Sequence, residues 1–349
     1  MKRAVAVAAT LLLAAVVTGT LYETLQRRSD RKRLPRIGRA VDIGGRTLNI
    51  DCAGVGSPVV VFDSGAGSPG YAWSNIQRQV AEFTQACWYD RAGEGWSEPG
   101  PFPRTSATIA SDLHELLHAA RVPPPYVLVG HSFGGLNVRA YAGRYADDVA
   151  GMVLIESAHE DEPTRAPAAF VGPKPPRFLW RPMDWLFRGA ARVGITRLTA
   201  RRVMLPDAVS QRTPEQILDA LRSQPSFIAT TYGVGLVAPD SYEQARAAGG
   251  IGDRPLIVLT RGQPFGHDPD PDVDRALSEW FDVWVHELQA NLAKLSTNGR
   301  QVIVPGSGHG IPEEAPGAVV AAVREVVTAA GRQGLQPPGP ATRSNPPVP

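Results

Sequence analysis

Pro125-Tyr126-Val127-Leu128-Val129-Gly130-His131-Ser132-Phe133-Gly134 reads as a buried strand that stops abruptly and turns back into a helix. Its last five residues fit G-x-S-x-G, in which glycines on both sides of the serine remove Cβ atoms that would clash in so tight a turn. The hydroxyl of Ser132 is then presented outward at the start of a helix. Leu136 to Tyr145 has helical spacing, so the Phe133 N–H lies near the positive end of a helix dipole, where a developing oxyanion is stabilised. The bare pattern is common, and it is the strand before and the helix after that make Ser132 a candidate nucleophile.

Working outward, Arg39 to Ile43 and Arg46 to Cys52 alternate like two strands joined at Gly44-Gly45. Pro58 to Phe62 is a valine-dense run, as expected of a strand covered on both faces, and the glycine-rich loop Asp63-Ser64-Gly65-Ala66-Gly67 follows it. A helix over Trp73 to Phe83, a strand over Ala86 to Asp90, a helix over Ser106 to Ala120 and a strand over Val149 to Ile155 continue the pattern. Strands alternating with helices imply a parallel sheet. From Ser157 to Gly252 the alternation stops, and proline, tryptophan and arginine surround helical patches at Met183 to Val193, Pro214 to Ser223 and Ser241 to Ala248. This stretch is too long for a plain loop and reads as an inserted helical lid. Its Trp180, Trp185, Leu186 and Phe187 suggest an apolar substrate pocket. Alternation resumes with a strand over Pro255 to Leu259, a helix within Asp272 to Leu295, a strand over Gln301 to Val304 and a helix from Pro316 to Ala330. The expected units are an anchor and basic linker (1–38), a core (39–157 and 252–331), the lid (158–251) and a disordered proline- and glycine-rich tail (332–349).

With 349 residues and 43% hydrophobic content the chain can bury a substantial core, and a net charge of +2 points to no nucleic-acid partner. Ala4 to Tyr22 carries no charge, and about nineteen residues at about 1.5 Å each reach close to the thickness of a bilayer's hydrocarbon core. A run this long with no small-x-small site after it reads as an uncleaved single-pass anchor. The arginines from Arg27 to Arg39 would hold the domain in the cytoplasm by the positive-inside rule. The two cysteines oppose this: Cys52 and Cys87 end and open strands that would be neighbours, so they are either a disulfide or two buried thiols. On balance an extracytoplasmic domain is expected.

Of seven histidines, His309 alone follows a valine-rich strand, in the glycine-rich loop Pro305-Gly306-Ser307-Gly308-His309-Gly310. An imidazole, with an ordinary pKa of about 6.5, can take the serine proton and return it to a leaving group. For the acid that orients it, Glu156 stands directly after Met152-Val153-Leu154-Ile155, whereas the alternative, Asp268, follows Leu259 only after a longer excursion. A strand end positions a carboxylate better than a proline-rich loop. The bland reading of Glu156 is a salt bridge to the lid through Arg165. The Ala66 and Phe133 N–H groups are the candidate oxyanion donors. No G-x-x-x-x-G-K-[ST] loop and no cysteine–histidine zinc spacing occurs, so neither metal nor cofactor is expected.

Together, Val59 to Gly67, Tyr89-Asp90-Arg91-Ala92-Gly93-Glu94-Gly95-Trp96-Ser97, Val129 to Gly135 and Gly306 to His309 resemble the α/β-hydrolase fold superfamily, and within it bacterial membrane-anchored or secreted serine hydrolases. The resemblance runs from about Arg39 to Ala330. It implies a mostly parallel eight-stranded sheet flanked by helices, a triad of Ser132, His309 and an acid, an acyl-enzyme intermediate, and an oxyanion hole from Ala66 and Phe133. The expected activity is hydrolysis of a small-molecule carboxylic ester. Amide cleavage or peroxide-dependent acyl chemistry by the same triad, and a non-catalytic hydrolase-like binder, are the alternatives. Two departures stand out: Ser64-Gly65 replaces the common His-Gly of the oxyanion loop, and no acid follows Leu259 until Asp268. Relatives with dehalogenase or epoxide-hydrolase activity use an Asp nucleophile where this chain has Ser132.

Overall fold

The computed structural model describes residues 1–167, 175–199 and 212–334. Eight strands among these residues form one sheet: β1 (Arg39–Asp42), β2 (Thr47–Ala53), β3 (Val59–Asp63), β4 (Ala86–Asp90), β5 (Tyr126–His131), β6 (Val149–Ile155), β7 (Leu256–Arg261) and β8 (Gly299–Val304), in the order β1-β2-β4-β3-β5-β6-β7-β8. The β1–β2 and β2–β4 pairs are antiparallel and the others parallel. Every residue of β3 and β4 is buried, whereas β1 and β8, at the edges, mix exposed with buried positions. A strand with helices on both faces has no solvent side, which is why Val59-Val60-Val61-Phe62 carries no polar alternation.

The helices are α1 (Lys2–Arg33), α2 (Ser74–Val80), α3 (Ser106–Ala119), α4 (Phe133–Arg144), α5 (Glu162–Arg165), α6 (Arg177–Arg192), α7 (Ile195–Thr199), α8 (Pro214–Arg222), α9 (Pro225–Ala247), α10 (Pro271–Asp282), α11 (Ala290–Ala293), α12 (Ile311–Glu314) and α13 (Pro316–Gly334). The two-residue period of the strands divides the core. Val59, Val61, Leu128, Leu154 and Val258 face α3 and α4 with Leu113, Leu117 and Tyr141. Their chain neighbours Val60, Phe62, Val129, Ile155 and Leu259 face α2 and α13 with Ile76, Val319 and Val323.

Several expectations are revised. The N-terminal helix does not end with the uncharged run but continues through the basic segment to Arg33. The helix expected from Ser241 begins sixteen residues earlier, at Pro225, and carries Pro239 inside it. The helix expected within Asp272 to Leu295 is interrupted by a π-helical stretch, Val283–Gln289. Cys52 and Cys87 are directly opposed in the β2–β4 ladder and form a disulfide. Most of the expected tail, 335–349, lies outside the described residues.

Candidate active site

Parallel strands bring their C-terminal ends to one edge of the sheet, and four of the loops that leave this edge carry the expected residues. Ser132 sits between β5 and α4 with φ 53° and ψ −121°, a conformation that L-residues rarely hold. It is locked from three sides: its N–H donates to the Ile155 carbonyl (3.0 Å), and its carbonyl accepts from Gly135 (2.9 Å) and Ala158 (3.0 Å). The flanking glycines are required by proximity. A Cβ on Gly134 would lie 2.4 Å from the Asp63 carbonyl oxygen, and one on Gly130 2.7 Å from the Gly134 oxygen. Phe133 opens α4, so its N–H has no intrahelical acceptor.

Glu156 follows β6 with φ 43° and is fully buried. Its carboxylate accepts from the Arg261 backbone N–H (2.8 Å) at the end of β7 and from the Trp284 indole N–H (3.1 and 3.2 Å). His309, in the loop after β8, approaches through Nδ1 to 3.4 Å, with its side chain half exposed. With the proton on Nδ1, that nitrogen donates to Glu156 and Nε2 keeps a lone pair. Asp268 is not brought to His309. It stands in an exposed loop, where its carboxylate accepts from the Asp270 N–H (2.9 Å). Nor does Arg165 reach Glu156: it pairs with Glu287 on the surface at 2.6 Å.

Ser132, His309, Glu156, Ala66 and Phe133 line one cavity of about 300 Å³, together with Ala158, Glu162, Thr231, Val234, Gly235, Ala238, Tyr242 and Trp284. The wall opposite the sheet is thus α9. Trp180, Trp185, Leu186 and Phe187, expected to shape the pocket, are not part of it, because α6 packs on the far side of α9. Burial raises the Glu162 carboxyl, whose neighbour is the Tyr242 hydroxyl at 3.4 Å.

Three supports surround these residues. Arg91 is buried beside the oxyanion loop, and its guanidinium donates to the carbonyls of Ser64 (2.5 Å) and Gly65 (2.7 Å), to Asp63 (2.9 Å) and to Glu94 (3.1 Å). One cation here faces two buried carboxylates, and burial raises Glu94 to about 7 despite Arg91. His131 donates from Nε2 to the His309 carbonyl (2.9 Å), and burial, with His309 nearby, lowers it to about 4, so it is a neutral strut. Trp284 and Gln289, which donates to the Ser157 carbonyl (2.7 Å), both belong to the π-helical stretch. Arg91 was visible in sequence only as part of a motif, and the π stretch left no signal there.

The family model described as "Alpha/beta hydrolase family" matches residues 60–323. An "AB hydrolase superfamily protein" of Gibberella zeae is 33% identical over 107 residues, which is 30% of this chain and 33% of that protein. The chain spans less than half the length of the curated relatives it matches first. Among solved structures, a thermophilic esterase from Thermogutta terrifontis aligns with TM-score 0.56 at 20% identity, covering 84% of this chain and 99% of that one. An enol-lactonase from Burkholderia xenovorans LB400 aligns with TM-score 0.55 at 19% identity, covering 83% and 100%. At these identities the likeness is one of fold.

Proposed function

Because this chain belongs to the alpha/beta hydrolase family, we propose that it hydrolyses a carboxylic ester through Ser132, His309 and Glu156. The observation that carries this reading is the 3.4 Å approach of the His309 ring to a buried carboxylate, in the cavity that also holds Ser132. His309 Nε2 takes the Ser132 proton as Oγ attacks the acyl carbon. The tetrahedral oxyanion is held by the Ala66 and Phe133 N–H groups, each such donor being worth about 2.7–4 kcal/mol. His309 returns the proton to the leaving alcohol, and water activated by the same imidazole releases the acid. Glu156 fixes the tautomer and favours the imidazolium that forms.

The described helices of residues 158–251, α5 to α9, serve as a lid, with α9 as the wall that selects the acyl or alcohol group. Helix α1, long and apolar enough to cross a membrane by length and composition, anchors the protein, and the Cys52–Cys87 bridge favours a domain outside the cytoplasm. Hydrolysis of a short p-nitrophenyl ester by the full chain tests the proposal. Ser132→Ala abolishes it if the reading is right, and undiminished turnover by that variant rejects it. A panel of esters, amides and lactones then identifies the acyl class.

A further inference from the structure

Helix α6, with the short α7 after it, leaves an apolar stripe in solvent. Phe178 is 76% exposed, Trp185 75%, Leu186 64%, Ile195 54% and Leu198 79%. At 3.6 residues per turn Phe178, Trp185 and Leu186 share one face of α6, and the exposed Arg181 and Arg192 border it on one side. A helix that opposes Trp, Phe and Leu to arginines suits a water–lipid boundary better than bulk water.

The position of the stripe supplies its occupant. A Cβ on Gly19 would lie 2.5 Å from the Val193 carbonyl oxygen, so α1 and the end of α6 touch backbone to backbone in the last turn of the uncharged run Ala4–Tyr22. Just beyond, Arg197 of α7 pairs with Glu23 at 2.7 Å and with Asp30 at 2.8 Å. If α1 spans a bilayer, the C-terminal end of α6 and α7 therefore sit at the level where it leaves the hydrocarbon, and α6 extends its exposed face outward from there. Arg27, Arg31, Arg36 and Arg197, against the carboxylates of Asp30 and Glu98, also line a cavity of about 310 Å³ between α1 and the domain, which leaves an excess of cationic groups near the depth of lipid phosphates.

We propose that the exposed face of α6 and α7 is a second membrane contact, seated in the interfacial region of the bilayer that α1 crosses. Phe178, Trp185, Leu186 and Leu198 enter the acyl boundary, and Arg181 and Arg192 reach the phosphates. Since α6 packs on α9, the wall of the cavity, the active site is held at a fixed height over the lipid surface rather than swinging on a flexible tether.

This inference rests on the reading of α1 as an anchor, and the experiment separates the two. The full chain is reconstituted into phosphatidylcholine–phosphatidylglycerol vesicles whose acyl chains are brominated near the headgroup, and both flotation and tryptophan fluorescence are measured. Residues 1–33 contain no tryptophan, so quenching does not report on α1 itself. The proposal expects flotation, quenched emission relative to unbrominated vesicles, and loss of the quenchable component in Trp185→Phe. Flotation with no quenching overturns it while leaving the anchor standing, and self-crosslinking of a Trp185→Cys variant would then assign the face to a second copy. Failure to float removes the anchor and the proposal together.

Discussion

Glu156 and Asp268 show how much of a residue's role is set by its surroundings. Both are carboxylates beyond sheet strands, yet Glu156 is buried among three N–H donors and Asp268 lies exposed on a loop. Glu156→Gln is expected to lower kcat on a p-nitrophenyl ester by on the order of 10³-fold or more, because the amide can hold the wrong histidine tautomer. Asp268→Asn leaves kcat unchanged. Equal losses in the two variants would remove Glu156 from the triad. Arg91 fixes the Ser64 and Gly65 carbonyls that precede Ala66, and on the proposed mechanism it positions the Ala66 N–H. In Arg91→Lys the planar fork is lost while the charge stays. Steady-state kinetics should show kcat reduced, by up to about 10²-fold, the worth of one oxyanion donor, with KM little changed. A rise in KM alone would contradict a role in the transition state.

Among the elements, the turn from β5 into α4 is the most constrained. The Cβ of Gly134→Ala would meet the Asp63 carbonyl oxygen at 2.4 Å, whereas that of Gly331→Ala in α13 would meet nothing within 4 Å. Urea unfolding should therefore show Gly134→Ala destabilised and Gly331→Ala stabilised by about 0.5–1 kcal/mol, since the latter gains helix propensity alone. The same contrast explains what was legible in the sequence. Strands β4 and β6 have the residue bounds that their apolar runs announce, because burial on both faces leaves no choice of composition. Helix α9 was read as a fragment because Gly233, Gly235 and Pro239 interrupt its local propensity. Buried contacts through Phe227, Val234, Val237 and Ala245 override that interruption. The π-helical stretch was invisible, since its extra residue per turn serves contacts to Glu156 and Ser157 that no local pattern encodes.

At the scale of the molecule, the sheet gathers positions 66, 132, 156 and 309 of the chain into one cavity. Its antiparallel end is closed by the Cys52–Cys87 bridge, which spans 35 residues. Chain-entropy reasoning gives such a loop about 4 kcal/mol. Unfolding midpoints of the Cys52→Ser/Cys87→Ser pair against the oxidised chain should show most of that loss, and identical midpoints would mean that the bridge contributes little. Which residues stand at the sheet edge was readable from strand ends, but the order β3-β5-β6-β7-β8 that makes them neighbours comes from long-range pairing. That β2 and β4 would be neighbours is legible in the sequence, whereas the choice between a disulfide and two thiols turns on the register that sets Cys52 directly opposite Cys87.

The most direct test of the account is covalent: the full chain is treated with a fluorophosphonate probe and the modified peptide is mapped by mass spectrometry. One adduct is expected, on Ser132, formed slowly in His309→Ala and absent in Ser132→Ala. A protein that turns over esters while Ser132 stays unmodified, or that carries its adduct on another residue, would contradict it.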